Sequence, residues 1–164
     1  MSLLDVKSFA AGQWITPDAN ARSIENAVTG AVLGRAGNDA LDVQAMLDYA
    51  RDVGGPALRA LTFHDRARML KALAAHLNQH NQALYERSFA SGATQSDHTI
   101  DIDGGVGTMF VFASKGRREM PDSNVYIDGD IEQLSRDGTF LGQHIATSLQ
   151  GVAVHINAFN FPVW

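Results

Sequence analysis

The spacing of apolar residues divides the chain into an extended start, a helical middle and an extended end. Near the start, short apolar runs separated by Gly, Pro, Asn and Asp are typical of strands. The predicted strands cover 8–15, 23–28 and 31–36, with the first two forming a hairpin. Farther along, apolar residues recur three and four positions apart, which indicates amphipathic helices. The predicted helices cover 39–53, 62–77, 79–90 and 97–116.

Polar and special residues mark the boundaries of these helices. Asp39 is the predicted N-cap of the first helix, and Gly54-Gly55-Pro56 predicts its end. Thr62 and Asp65 have capping-box spacing at the start of the most regular helix. The segment 104–107 has three glycines, each costing about 1 kcal/mol against alanine in a helix interior. We therefore expect a close helix contact or a local break there.

After Pro121 the apolar spacing becomes two, which predicts strands again. These strands cover 125–127, 131–135 and 139–147. Asp137-Gly138 lies between the last two and is a strong hairpin signal. Residues 152–156 are apolar enough for a buried strand, and a stretch rich in aromatic residues, without a polar tail, follows up to Trp164. We read this ending as a sign that the sequence is the N-terminal part of a longer chain.

Composition limits the class of protein. The 164 residues are 45% hydrophobic and 19% charged, as in ordinary globular proteins. The net charge is −5 and the basic residues are scattered, which argues against nucleic acid or an acidic membrane as partner. No apolar stretch reaches the ~20 residues of a membrane span, so we expect a cytoplasmic protein. With no cysteine, the sequence has neither a disulfide nor a thiolate nucleophile.

Several motifs resemble ligand sites but lack essential parts. His76 and His80 are spaced to share a metal ion, yet no third ligand lies at motif spacing. Asp101-Ile-Asp103-Gly104 starts like a calcium loop and lacks its later ligands. The glycines of 104–107 follow no strand and lack the third glycine of a dinucleotide fingerprint, which favours helix packing. We predict no metal site.

The segment 151–164 carries the most chemical information. A buried strand followed by a donor-rich loop and a proline is typical of the ligand-binding edge of an α/β sheet. Asn160 could direct its side-chain N–H at an oxyanion that forms during a reaction. The same residue, ahead of Phe161-Pro162, could instead cap a helix that starts at Pro162. The pattern leaves both alternatives open.

This segment resembles the aldehyde dehydrogenases, whose first cofactor-domain strand leads into a Pro-Trp-Asn-Phe-Pro motif. The sequence matches that motif at Asn160, Phe161 and Pro162 and departs from it at Ala158 and Phe159. The form His-Ile-Asn-Ala-Phe-Asn-Phe-Pro is similar to the branch that acts on coenzyme-A-linked semialdehydes, as in aerobic phenylacetate degradation. Further similar segments are 9–14, 55–63, 91–94 and 101–105.

The resemblance implies an α/β fold, namely the N-terminal part of the aldehyde dehydrogenase fold. It comprises helices, the start of a Rossmann-like sheet and a β-hairpin oligomerisation arm. On this basis 1–120 begins the cofactor-binding domain, 121–148 is the arm, and 149–164 contains the first strand of the dinucleotide-binding sheet. The arm residues 125–147 are expected to join copies into a homo-oligomer.

The resemblance also implies a reaction. In the family a catalytic Cys attacks the aldehyde, hydride passes to NADP or NAD, and a Glu activates water. Asn160 matches the oxyanion-stabilising Asn. The cofactor-lining backbone corresponds to Ile156, Asn157, Ala158 and Phe159. Neither the catalytic Cys nor the catalytic Glu lies in this segment, so we expect it to be inactive alone. The alternative is a stand-alone, non-catalytic interaction module.

Overall fold

A computed structural model describes residues 3–164 as a mixed α/β arrangement. The strands are β1 (Leu4–Val6), β2 (Ser8–Ala10), β3 (Gln13–Ile15), β4 (Arg22–Glu25), β5 (Val32–Ala36), β6 (Val125–Gln133) and β7 (Leu141–Thr147). The helices are α1 (Val43–Tyr49), α2 (Gly55–Ala60), α3 (Phe63–Gln79), α4 (Asn81–Phe89), α5 (Gln95–His98) and α6 (Gly105–Arg118). Two π-helical turns, Ala50–Gly54 and Thr99–Gly104, join α1 to α2 and α5 to α6.

The predicted hairpin near the start has different partners from those expected. Residues 8–15 already contain two strands, because Ala11 and Gly12 adopt positive φ angles of 47° and 80° and reverse the chain between β2 and β3. β4 pairs instead with β5 in antiparallel orientation, and β1 joins β5 in parallel. The prediction that 8–15 pairs with 23–28 is therefore wrong.

The first predicted helix starts later and does not stop where expected. Asp42, not Asp39, caps α1, and its side chain accepts a hydrogen bond from the Ala45 N–H at 2.9 Å. Gly54-Gly55-Pro56 does not end the helix. The Gly55 N–H donates to the Ala50 carbonyl five residues back, and Pro56 lies in the first turn of α2, where a missing N–H is tolerated.

α3 and α6 form the principal helix contact. The Thr62–Asp65 capping box is confirmed at the start of α3. Both helices bury small residues, Ala67 and Ala74 on α3 and Ala113 on α6. A Cβ on Gly116 would lie 3.1 Å from the Ala67 Cβ. Small side chains therefore allow the two helices to approach closely.

The break expected within 97–116 is present. α5 ends at His98, and the π turn Thr99–Gly104 precedes α6. Two residues of this π turn, Asp101 and Ile102, lie in the interior, at 3% and 0% exposure. The glycines thus coincide with the expected break, whereas the close contact at Gly104 and Gly105 is with the non-helical Trp164 and not with a helix.

β6 and β7 form a two-stranded antiparallel ribbon. Gly138 has a φ of +74°, in agreement with the hairpin predicted from Asp137-Gly138. β6 is continuous where the sequence predicted two pieces, with an irregularity in pairing between Asp128 and Glu132. Most of the ribbon is exposed.

The prediction of a buried strand over 152–156 is wrong for this structure. These residues are assigned to no strand, and Val154 and Ile156 are 77% and 92% exposed. A strand requires a neighbouring strand to pair with, and no strand of the described residues pairs with this segment.

Within residues 3–164, no helix combines the length and the apolar content of a membrane span.

Candidate functional site

The segment 157–162 near the end of the sequence forms a tight turn. The Phe161 N–H donates to the Ala158 carbonyl at 3.3 Å, and this closes a turn with Phe159 and Asn160 at its tip. The Asn157 side chain donates to the Pro162 carbonyl at 2.8 Å and joins the two ends of the turn. Asn160 is exposed. Residues 162–164 are not helical here, so the alternative in which Asn160 caps a helix has no support in the described residues.

An apolar crevice of about 570 Å³ lies beside the turn. Its lining consists of Ile100, His155, Ile156, Asn157, Ala158, Phe161 and Trp164. Three of the predicted cofactor residues, Ile156, Asn157 and Ala158, therefore meet at one crevice. Phe159 and Asn160 are outside its lining. The crevice is open to solvent, since Ile156 and Trp164 are 92% and 60% exposed.

A buried carboxylate connects this region to the helices. Asp101 Oδ1 accepts hydrogen bonds from the Trp164 N–H at 2.7 Å and the Val163 N–H at 3.1 Å. Its Oδ2 accepts from the Val163 N–H at 3.4 Å. The hydrogen bonds from these backbone amides compensate for the free-energy cost of burying the carboxylate. Asp101 is thus engaged with backbone amides rather than placed as a calcium ligand.

Sequence reasoning did not identify this role of Asp101. Its partners lie 62 and 63 residues further along the chain, and no local pattern encodes such a contact. The local sequence offers only two acidic residues, Asp101 and Asp103, shortly before a pair of glycines. Calcium-binding loops share that signal, so it does not indicate a contact with backbone amides.

The glycines at the start of α6 provide room for Trp164. A Cβ on Gly104 would lie 2.3 Å from Trp164 Cζ3, and a Cβ on Gly105 would lie 2.9 Å from the Trp164 Cα. Contacts this short do not occur without a shift of the neighbouring atoms. Gly107, by contrast, has no atom within 4 Å of its would-be Cβ. Two of the three glycines therefore serve packing against the end of the site.

An aromatic cluster supports the segment that carries Asp101. The buried His98 ring stacks on Tyr85 with centroids 5.0 Å apart, and Phe89 meets it edge-on at 4.3 Å. The Tyr85 hydroxyl donates to Asp103, and this hydrogen bond raises the pKa of Tyr85. α4 is thereby held against the π turn 99–104.

The two spaced histidines interact with each other. Their rings lie 4.4 Å apart, and His80 Nδ1 donates to the His76 carbonyl at 2.8 Å. Within the described part of the chain, His, Asp and Glu side chains form no group of three that could hold a metal ion.

The fold and crevice define a mixed α/β unit with a candidate ligand site at an aromatic turn. Residues 14–164 match the aldehyde dehydrogenase family, and the chain belongs to that family. It is similar to 3,4-dehydroadipyl-CoA semialdehyde dehydrogenase of Aromatoleum evansii, with 36% identity over 162 residues. The aligned part covers 98% of this chain and 31% of that relative. The family resemblance read from the sequence is confirmed.

Proposed function

We propose that this chain is the N-terminal part of an NAD(P)-dependent aldehyde dehydrogenase that oxidises a coenzyme-A-linked semialdehyde to the acid. The family match supports the reaction type. The similarity to a dehydroadipyl-CoA semialdehyde dehydrogenase supports the substrate class and a place in aromatic catabolism. The observation that carries the proposal is the turn 158–161, which presents Asn160 beside the crevice.

Asn160 is proposed to stabilise the oxyanion. Its side chain is exposed at the tip of the turn and makes no hydrogen bond among the described residues, so its N–H groups are free to donate to a substrate oxygen. Donors directed at developing charge lower the energy of a transition state more than that of the ground state. The sequence holds no cysteine, so the nucleophile belongs to another part of the proposed enzyme.

The cofactor residues are proposed to be Ile156, Asn157, Ala158 and Phe159. The crevice is compatible with one end of NADP or NAD, because its apolar side chains suit a planar ring. The backbone of 152–157 makes no backbone hydrogen bond among the described residues, which leaves N–H and C=O groups free for ribose. When bound, the cofactor accepts the hydride.

The ribbon β6–β7 is proposed to join copies of the protein. Ile127 and Ile145 face each other across the ribbon, and each is 56% exposed. An isolated two-stranded ribbon is only marginally stable in water. Packing of the ribbon on another surface would remove its exposed apolar side chains from water. We propose that this surface packs against the same surface of a second copy.

A cytoplasmic location stays a prediction from the sequence.

The proposal is tested by measuring NAD(P)H formation by the full-length enzyme. A coenzyme-A-linked semialdehyde is compared with the same aldehyde lacking coenzyme A, with NAD and NADP in parallel. We expect turnover with the linked substrate, a lower kcat/KM without coenzyme A, and none from residues 1–164 alone. A full-length protein that oxidises no aldehyde with either cofactor would contradict the proposal and favour the non-catalytic module.

A further inference from the structure

The turn that carries Asn160 has few connections to the rest of the protein. Among the described residues, every hydrogen bond that joins 149–164 to the preceding chain is accepted by Asp101. In addition, Trp164 packs on Gly104 and Gly105. Both anchors belong to the short segment 101–105. The position of the turn therefore depends on that segment.

The turn also behaves as one unit. Its ends are linked by the hydrogen bond from Asn157 to Pro162, and its tip is closed by the hydrogen bond from Phe161 to Ala158. A shift of Val163, the first residue bound by Asp101, is therefore transmitted to Asn160 through a closed loop rather than absorbed by a free chain.

We propose that Asp101 is a positioning residue that holds Asn160 in its reactive place by binding the Val163 and Trp164 amides. The inference rests on the proposed function, in which Asn160 stabilises the oxyanion. Asp101 itself is buried beneath the turn and is engaged by backbone amides, so it acts through the turn and not on substrate. A displacement of about 1 Å in a reacting group can lower turnover about 100-fold.

A double-mutant cycle on kcat of the full-length enzyme tests this proposal. Asp101→Ala is expected to lower kcat about 100-fold, and Asn160→Ala about 100- to 1,000-fold. If Asp101 acts through Asn160, then adding Asp101→Ala to Asn160→Ala changes kcat by no more than about twofold. A loss of stability alone would lower activity by the same factor in both backgrounds.

Two further variants sharpen the cycle. Asp101→Asn keeps one oxygen where Oδ1 accepts both amides, and it is expected to remain within about tenfold of the wild-type kcat. The matched control is Asp39→Ala, which removes an exposed carboxylate in a different part of the chain. It should leave kcat unchanged.

The outcomes separate the inference from the proposed function. If Asp101→Ala lowers kcat by the same factor in the wild type and in Asn160→Ala, the positioning role is overturned. An unchanged kcat in Asn160→Ala would instead overturn the proposed role of Asn160, and the inference with it. If Asp101→Ala does not fold, then Gly105→Ala, whose Cβ would lie 2.9 Å from the Trp164 Cα, replaces it in the same cycle.

Discussion

Two glycines determine where Trp164 can lie. At Gly105 even a methyl group would meet the Trp164 backbone at 2.9 Å, and backbone cannot rotate away as a side chain can. Gly107 is only two residues further along α6 but has open space around its would-be Cβ. The same substitution at these two positions therefore has opposite expected effects.

Gly105→Ala is expected to lower the free energy of unfolding by about 1–3 kcal/mol, because the added methyl group overpacks the contact with Trp164. Gly107→Ala is expected to raise it by up to about 1 kcal/mol, because alanine favours the helix. Urea denaturation of both variants measures the difference. Stabilisation by Gly105→Ala would show that Trp164 does not pack on this segment.

At the tip of the ribbon, Asp137 has a strongly lowered pKa. Its carboxylate accepts hydrogen bonds from the Ser135 hydroxyl and from the Thr139 hydroxyl and N–H, which lower its pKa from 3.8 to about 2. Because the pKa is lower in the folded state, this stabilisation is complete above 3.8 and is lost as the pH falls through about 2.

Ser135→Ala is expected to raise the pKa of Asp137 toward its ordinary value, because the Ser135 hydroxyl makes the largest contribution to the shift. Titration of the Asp137 carboxyl carbon by NMR measures the change. Ser91→Ala is the control, since Ser91 lies in a different part of the chain and its hydroxyl donates to the Ser88 carbonyl. An unchanged titration in Ser135→Ala would contradict the geometry of this turn.

At the candidate site, a linear motif in the sequence predicts the residues proposed to contact the cofactor, but no sequence pattern predicts the residue proposed to position them. Ile156, Asn157 and Ala158 were placed together by a linear motif, and they do meet at the crevice. Asp101 was missed because its partners are backbone amides, which any residue would provide, at a distance of more than 60 positions. Local patterns contain no information about such contacts.

Among the elements, α3 was the best predicted because its signals are local. Thr62 and Asp65 satisfy each other's backbone N–H groups at its start, and the apolar period continues to its end. The π turns were not predicted, since their wider hydrogen bonding depends on where later residues pack. The strand over 152–156 failed for a related reason, because a strand is defined by its neighbour.

The contact between α3 and α6 depends on small side chains. Ala74→Leu is expected to destabilise the protein by about 1–3 kcal/mol, because Ala74 is 0% exposed and has no room for three more carbons. Ala72→Leu makes the same change on the exposed side of α3 and should cost less than about 0.5 kcal/mol. Equal unfolding midpoints for the two variants would contradict the packing described here.

At the scale of the whole molecule, the ribbon and the segment 152–164 are exposed while the helices hold the core. On one face of the ribbon Ile127 lies opposite Ile145, which forms an exposed apolar pair, and on the other face Asp128 lies opposite His144. Apolar faces of this kind are typical of surfaces that associate.

Ile145→Lys is therefore expected to weaken association of the full-length protein, because it puts a charge on the apolar face. His144→Lys puts the same residue on the opposite face of the same strand and should leave association nearly unchanged. Sedimentation velocity over a range of concentrations measures both. The same oligomer in Ile145→Lys and wild type would show that the apolar face is not the interface.

The chain spans 31% of the length of the dehydrogenase to which it is similar, so the central question is what this part contributes to a complete active site. The most direct measurement is kcat of full-length Asn160→Ala at saturating cofactor and coenzyme-A-linked semialdehyde. The matched control is Asn78→Ala, which removes an exposed amide from α3. We expect a loss of about 100- to 1,000-fold for Asn160→Ala and none for the control. A kcat equal to that of the wild type in Asn160→Ala would contradict the assignment of this turn to the active site.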